Sequence, residues 1–292
     1  MLITQSAGKF LKRKNSINLG GNLIHFSEPV VMGVVNVTPD SFYDGGKLTD
    51  TETLLKSVEN MITEGASFID LGAMSTRPGA AMISTKTELD RLLPAVHAVR
   101  KNFPDIPISI DTFRSWVAVR VIEEIGPIVV NDISGGTLDS KMFETIGKMN
   151  VPYILTHIQG TPQNMHENPD YTDVVREVSL WLSERVKQLT KFGVKDVIID
   201  PGFGFGKNIM HNYELLNRFD SFKVFQLPVM AGLSRKSMVW KLLNTTPEEA
   251  LNGTSVINTM ALLGGADILR VHDVKEAMEA IKIYNALKST VS

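Results

Sequence analysis

The chain has 292 residues, 43% hydrophobic and 21% charged, with a formal net charge of −2 and a pI of about 6.3. This is the balance of an ordinary globular protein, without the basic excess that binds nucleic acid or an anionic membrane. There is no cysteine, which excludes disulfides, thiolate nucleophiles and cysteine metal centres and removes any need for an oxidising compartment.

Residues 1–15 carry Lys9, Lys12, Arg13 and Lys14 but no apolar stretch ahead of a small-residue cleavage site, so they read as a solvated arm rather than a signal peptide. No apolar run approaches the roughly 20 residues that span a bilayer, and a cytoplasmic protein is expected. Residues 17–26, INLGGNLIHF, flank Gly20-Gly21 with apolar residues and predict a two-strand hairpin over 16–26, placed across the bottom of a barrel.

From residue 30 onward, Val- and Ile-rich runs alternate with longer amphipathic segments. Strands are expected at 30–36, 67–73, 107–112, 128–134, 152–158, 196–202, 228–234 and 268–273. The helices between and after them fall at 51–64, 85–101, 114–125, 140–149, 170–192, 212–219, 248–263 and 274–287. Gly65, Gly126 and Gly193 sit where helices should end. Thr246-Pro247-Glu248-Glu249 offers a capping Thr, a Pro at the first helical position and a Glu at the third. Strand then helix, repeated eight times, predicts right-handed crossovers and a (β/α)8 TIM barrel. A doubly wound open sheet is the structural alternative. No linker or shift in composition divides the chain, so residues 16–292 read as a single α/β domain.

Polar residues recur where the strands end: Asn36, Asp111, Asn131, His157, Asp200, Ser234, and then Arg270 and His272. One such residue is ordinarily a cap or turn former. Seven strands doing this together point instead to a site at the C-terminal face of a barrel. Asp111 and Asp200 follow apolar runs, and a carboxylate buried there is costly unless paired. With Asn131 they suit a flat heterocycle rich in N–H donors, since an amino-oxo pyrimidine edge gives two parallel hydrogen bonds to one carboxylate.

An anion is provided for as well. Arg270 and His272 are two apart on one predicted strand and project to one side. They lie where barrels often bind phosphate, beside Ser234-Arg235-Lys236. The loop Ser75-Thr76-Arg77-Pro78-Gly79 adds a further cation. Other chemistries are missing. Gly202–Lys207 has the look of a phosphate loop, but Pro201 stands where the Walker pattern needs Gly. There is no paired helical zinc motif and no nucleophile elbow, and the six histidines are scattered. The chemistry then rests on positioning and charge stabilisation.

These segments together resemble the dihydropteroate synthases. The resemblance rests on GVVNVTPDSFYDGG at 33–46, STRPGA at 75–80, SIDT at 109–112, NDISGG at 131–136, HIQGTP at 157–162, DPGFGFGK at 200–207, SRKS at 234–237 and RVHDV at 270–274. It runs from about residue 17 to the C-terminus and implies a folate-pathway transferase. Such an enzyme joins (7,8-dihydropterin-6-yl)methyl diphosphate to 4-aminobenzoate, with Mg²⁺ assisting departure of diphosphate. By the same resemblance Asp111, Asn131, Asp200 and Lys236 would hold the pterin, and Asn36 would be the protein's metal ligand. Asn36, Thr76, Arg270 and His272 would bind diphosphate. Thr76, Arg77, Pro78, Phe205, Ser234 and Lys236 would form the aminobenzoate pocket. Catalysis would fall to Asp111, Lys236, Asn36, Arg270 and His272, and the loops at 36–46 and 76–79 would close over the site. A homodimer is implied too, with helices near the C-terminus as its interface.

Two departures stand out. Met74 replaces an acidic residue common before the Ser of the second loop, which puts a loop-anchoring role for that acid in doubt. THIQG at 156–160 stands where MHMQG is common. Nothing is inserted after Pro78, so sulfonamides should still be accepted. The rival readings are a methyltetrahydrofolate-binding corrinoid methyltransferase domain, which should lack the STRPG and SRK loops, and a non-catalytic pterin-binding module, which has no use for a leaving-group site.

Overall fold

The structure is a computed structural model and describes residues 13–37, 47–74, 82–165, 167 and 169–290. A hairpin comes first: β1 (Ser16–Leu19) and β2 (Asn22–His25) pair antiparallel across Gly20-Gly21. Both glycines have positive φ, 61° and 96°, as a tight two-residue hairpin turn requires.

Eight parallel strands come next, each with a helix after it. In chain order these are β3 (Val30–Asn36), α1 (Lys47–Glu64), β4 (Phe68–Gly72), α2 (Thr85–Asn102), β5 (Ile108–Asp111) and α3 (Ser115–Ile125). Then come β6 (Val129–Asp132), α4 (Met142–Met149), β7 (Tyr153–Thr156), α5 (Val174–Lys191), β8 (Val197–Asp200) and α6 (Ile209–Asn217). Finally β9 (Met230–Ala231), α7 (Ser237–Trp240), α8 (Leu251–Gly264), β10 (Ile268–Val271) and α9 (Val274–Lys288) complete the circuit. The hydrogen-bonded order is β8-β7-β6-β5-β4-β3-β10-β9. The ring closes where Ile199 pairs with Val229 and its N–H donates to Pro228 O at 3.0 Å. That closure removes the open-sheet alternative and gives a (β/α)8 barrel with an N-terminal hairpin.

The strands are short, so their period of two divides the apolar material cleanly. Outward side chains such as Val31, Ile69, Ile110, Leu155 and Ile199 pack beneath the helices in one large core. A second cluster fills the barrel at the strand N-termini: Met32, Phe68, Val129, Ile154, Ile198, Met230 and Ile268. Ile17, Leu19 and Phe26 of the hairpin segment join it, so the hairpin closes the bottom of the barrel, as the sequence predicts.

Local starts and stops differ in several places. α6 begins earlier than expected because Asn208 caps it: its Oδ1 accepts from His211 N at 2.7 Å, and the His211 ring accepts from Asn208 N. A 3-10 segment, Phe219–Phe225, and the short α7 go beyond the predicted elements. β9 shrinks to two residues. α8 starts at Leu251, not at 248, because Thr245 donates to the Glu249 carboxylate and holds that acid in the preceding turn.

Ile17 has no exposed surface, and no polar group competes for its position. Ile17→Ala should therefore cost about 2–5 kcal/mol, the usual loss for a large-to-small change in a closed core. Urea unfolding at equilibrium reads this directly. A loss under about 1 kcal/mol would mean that the hairpin is a loose cover and not part of the core.

Candidate active site

Two residues above the apolar plug, the same inward-facing positions turn polar. Phe68 is followed by Asp70, Val129 by Asn131, Ile198 by Asp200 and Ile268 by Arg270, each pair being i and i+2 on one strand. The apolar floor thus carries a charged layer, open toward the strand C-termini.

Arg270 is the centre of that layer. Its Nε and Nη2 each lie 2.7 Å from Asp70 Oδ2, and Nη2 also donates to Asp111 Oδ2 at 2.9 Å. Asn131 donates its amide Nδ2 to the same Asp70 oxygen at 3.0 Å. Burial disfavours the Arg270 cation, but the attraction of Asp70 and Asp111 outweighs it and raises its pKa. Burial drives the Asp111 pKa up to about 7 against the pull of Arg270, with Asp70, Glu88 and Asp132 adding repulsion. Asn36 ends β3 exposed, beside Gly72; a Cβ on that glycine would sit 3.4 Å from Asp111 Cβ and 3.7 Å from Asn36 Oδ1. The mouth end of this cluster therefore holds a carboxylate and an amide oxygen side by side.

Asp200 and Lys236 form the opposite wall. A Cβ on Gly232 would be 3.7 Å from Asp200 Oδ2 and 3.9 Å from Lys236 Nζ. Asp200 is buried, accepts from Gly202 N at 2.8 Å, and has its pKa raised by that burial against the pull of Lys236. Burial lowers Lys236 to about 8, with Asp200 opposing. Its ammonium donates to Phe203 O and lies 4.6 Å over the Phe205 ring. This ring, half-buried, is a flat apolar surface next to a cation.

That wall is held from behind by Lys207. Its buried ammonium donates to Gly202 O at 2.8 Å and Phe205 O at 3.0 Å, and reaches His157 Nδ1 at 2.9 Å. Burial first, and then the Lys207 charge, lower the pKa of His157, which leaves a neutral ring able to accept. Gly202, Gly204 and Gly206 all have positive φ, and a Cβ on Gly202 would meet His157 O at 1.9 Å. The resemblance to a phosphate loop is thus accounted for differently: the lysine points inward and shapes the loop.

The predicted residues therefore divide. Asp111, Asn131, Asp200, Lys236, Arg270 and Phe205 share one pocket, with Asn36 at its rim. His272 lies one residue past β10 and is exposed; its N–H donates to Ser234 Oγ at 3.2 Å, which ties these two to each other at the rim. Arg235 corrects an expectation. It does not add a free cation to an anion site, because it makes a two-pronged pair with Asp273, Nε to Oδ2 at 2.9 Å and Nη2 to Oδ1 at 2.6 Å. Its φ of 54° is the bend that turns it away from the pocket. Thr76, Arg77 and Pro78 lie outside the described residues, as does the segment 38–46. After the second loop, Arg114 donates to Ile83 O at 2.6 Å and pairs with buried Glu88, which also accepts from Thr112 Oγ1 at 2.5 Å.

Asp70 escapes a search of strand ends because it lies in mid-strand. Its signal is in the alternation: in SFIDLG it is two from Phe68 and shares its face.

A polar, charge-paired layer in the interior of a parallel barrel, with a flat apolar wall beside it, defines a pterin-binding barrel. The profile of the family described as pterin binding enzyme matches residues 32–272. The dihydropteroate synthase of Escherichia coli (strain K12) is 42% identical over 271 residues, 92% of this chain and 95% of that one. The Yersinia pestis dihydropteroate synthase in complex with a sulfonamide drug superposes with a TM-score of 0.87 at 39% identity, covering 94% of this chain and 99% of that one. The Xanthomonas albilineans dihydropteroate synthase with 4-aminobenzoic acid gives 0.86 at 34% identity, covering 94% and 98%. The chain belongs to the dihydropteroate synthase family of pterin-binding enzymes.

The raised pKa of Asp111 has a measurable consequence. The unfolded carboxyl ionises near pH ~4, whereas in the fold it keeps its proton to about 7. Its protonated form thus contributes stability that is fully present below pH ~4 and lost as the pH rises through about 7. Asp111→Asn removes that loss, so the variant should gain stability relative to the parent between about pH 5 and pH 8. Urea unfolding of both proteins at the two pH values checks this, and a difference that does not change with pH would contradict the burial argument.

Proposed function

We propose that the chain condenses (7,8-dihydropterin-6-yl)methyl diphosphate with 4-aminobenzoate to give 7,8-dihydropteroate and diphosphate, as a transferase of folate biosynthesis. The observation that carries this reading is the convergence of Asp111, Asn131, Asp200, Lys236 and Arg270 on one recessed pocket in a chain 42% identical to a dihydropteroate synthase across 92% of its length.

The physical roles come from the chemistry. Asp200, buried and ionisable, accepts the paired N–H groups of the pterin's pyrimidine edge, and Lys236 beside it donates to a ring acceptor. Cleavage of the C–O bond leaves positive charge on the pterin methylene, which the carboxylates of Asp111 and Asp200 stabilise. The aryl amine attacks that carbon, the C–N bond forms, and the amine sheds a proton. The Phe205 ring and the Lys236 stem line the approach of 4-aminobenzoate, and Ser234 at the rim is placed for its carboxylate. Arg270 from within, and His272 and Asn36 at the rim, face the leaving diphosphate. The Asn36 amide oxygen is a hard donor suited to Mg²⁺, which takes few protein ligands and the oxygens of a bound phosphate. Among the described residues no cluster of three acidic or histidine side chains offers a separate cage. When bound there, Mg²⁺ would offset charge on the departing diphosphate. Thr76, Arg77 and Pro78 are assigned to diphosphate and aminobenzoate by their motif, and a sulfonamide, similar to 4-aminobenzoate in shape and charge, should compete in that pocket.

A homodimer is part of the proposal. Val256, Met260 and Leu263 lie on one face of α8 and are 48%, 49% and 57% exposed, with Ile283 and Leu287 of the adjacent α9 at 67% and 55%. A cleft of about 680 Å³ opens between α6 and α8 on this side, lined by Tyr213, Leu216, Met260 and Leu263. Large apolar side chains left exposed on two adjacent helices are what an association surface offers. No helix among the described residues is long and apolar enough to cross a membrane.

Diphosphate release in the presence of both substrates tests the reaction. Release that depends on 4-aminobenzoate supports it; release without dihydropteroate, or none, refutes it and leaves a methyl-transferring or non-catalytic pterin barrel. Asp200→Asn should keep the fold and weaken pterin binding by about 2–4 kcal/mol, since an amide cannot accept two N–H groups as a carboxylate does. Calorimetry with a pterin reads this, and an unchanged dissociation constant would remove Asp200 from the site. Met260→Asp should shift the mass seen by light scattering from dimer to monomer; a monomeric parent, or an unshifted dimer, would place the interface elsewhere or nowhere.

A further inference from the structure

Asp70 lies in the middle of β4 with no exposed surface, yet it contacts two residues of the pocket. One oxygen, Oδ2, accepts from Arg270 Nε at 2.7 Å and from Asn131 Nδ2 at 3.0 Å. This contact decides which way the Asn131 amide faces. A carboxylate oxygen already engaged by a guanidinium can only accept, so the NH2 end of the amide must turn to it. The carbonyl end, Asn131 Oδ1, then points away, buried and without a partner among the described residues. A buried acceptor without a donor is costly, and native structures keep one where something else completes it. A ring N–H of a bound pterin is a donor of the right chemistry.

We infer that Asp70 is a positioning residue of the pterin pocket: it locks the Asn131 amide with its carbonyl toward the ligand and holds Arg270 where its Nη2 also reaches Asp111. The assignment rests on the pterin-binding reading above and deepens it. Asp70 acts through its two neighbours. Without it the Asn131 amide could rotate by half a turn at little steric cost, and the Arg270 end group, free to take other rotamers, would keep only its bond to Asp111. The buried Asp70 removes both freedoms with one atom.

The test is an exchange of the two groups, read by calorimetry with 6-hydroxymethylpterin. Asp70→Asn keeps the shape but lets position 70 donate as readily as accept, so the Asn131 amide loses its preferred direction. Pterin binding should weaken by about 10- to 100-fold, the loss expected for one buried hydrogen bond left unmade. Asn131→Asp alone sets two carboxylates face to face and should weaken it as well. The double variant Asp70→Asn/Asn131→Asp restores a donor–acceptor pair across the barrel and again turns an acceptor toward the pocket. It should bind at least about 10-fold more tightly than the product of the two single losses allows. A merely structural role predicts losses that multiply. Thermal unfolding of each variant reports folding, and if Asp70→Asn alone does not fold, the double variant is compared with Asn131→Asp, which it should exceed. Parent-like binding by Asp70→Asn, or a double variant weaker than Asn131→Asp, overturns the assignment. Absence of pterin binding by the parent overturns the functional reading and the assignment with it, whereas binding by the parent with no rescue overturns the assignment alone.

Discussion

The pocket depends on one cation shared inside a barrel. Arg270 is held by Asp70 and Asp111 at 2.7 and 2.9 Å in an interior that water reaches only from the strand C-termini. A buried ion pair adds little net stability, because desolvating the charges offsets their attraction. Its value here is geometric. Three strands, β4, β5 and β10, are fixed relative to one another at the level of the chemistry, and Asn131 of β6 is drawn in through Asp70. Any one of these charges alone at that depth would be untenable. Together they form a layer of set orientation whose unsatisfied edges face the mouth, so a ligand meets groups already in place.

The apolar plug is the other half of that arrangement. A parallel barrel of short strands has an interior only a few side chains deep, and the hairpin contributes Ile17, Leu19 and Phe26 to the lowest layer. With the bottom closed by apolar side chains, water cannot enter from below to screen the charges above. The same period of two that buries Phe68, Val129, Ile198 and Ile268 brings Asp70, Asn131, Asp200 and Arg270 to the next level. Stability and chemistry thus use adjacent residues of the same strands, the first at their N-terminal ends and the second at their C-terminal ends.

A buried lysine behind the pocket wall does different work. Lys207 is surrounded by acceptors, His157 Nδ1, Gly202 O and Phe205 O, with no carboxylate in contact among the described residues. It holds a loop with three glycines at positive φ in one compact shape. That shape delivers Phe203 O to the Lys236 ammonium and the Phe205 ring beneath it. The wall on which an aromatic second substrate would lie is therefore set by a residue that it never touches. Arg235, by contrast, is spent on Asp273 and fixes the turn between β9 and α7 to the end of β10.

Much of this was determined by the sequence alone. Eight apolar runs separated by amphipathic segments specify a barrel because parallel strands need helical crossovers, and the polar residues ending those runs mark the functional face. Gly20-Gly21 fixed the hairpin, since few residues adopt positive φ twice in succession. What only the tertiary structure decided is which charges meet. Asp70 and Arg270 are 200 residues apart, and nothing local to either one names its partner. Arg235 and Lys236 are neighbours in the chain, yet one pairs with Asp273 and the other enters the pocket, because a left-handed bend at Arg235 separates their directions. Lys207 looks like a phosphate ligand in its motif and becomes an internal clamp because Gly202 allows the loop to fold back over it. Sequence patterning reports which face of an element is buried, but the pairing of buried charges depends on barrel closure, which brings distant strands to one level.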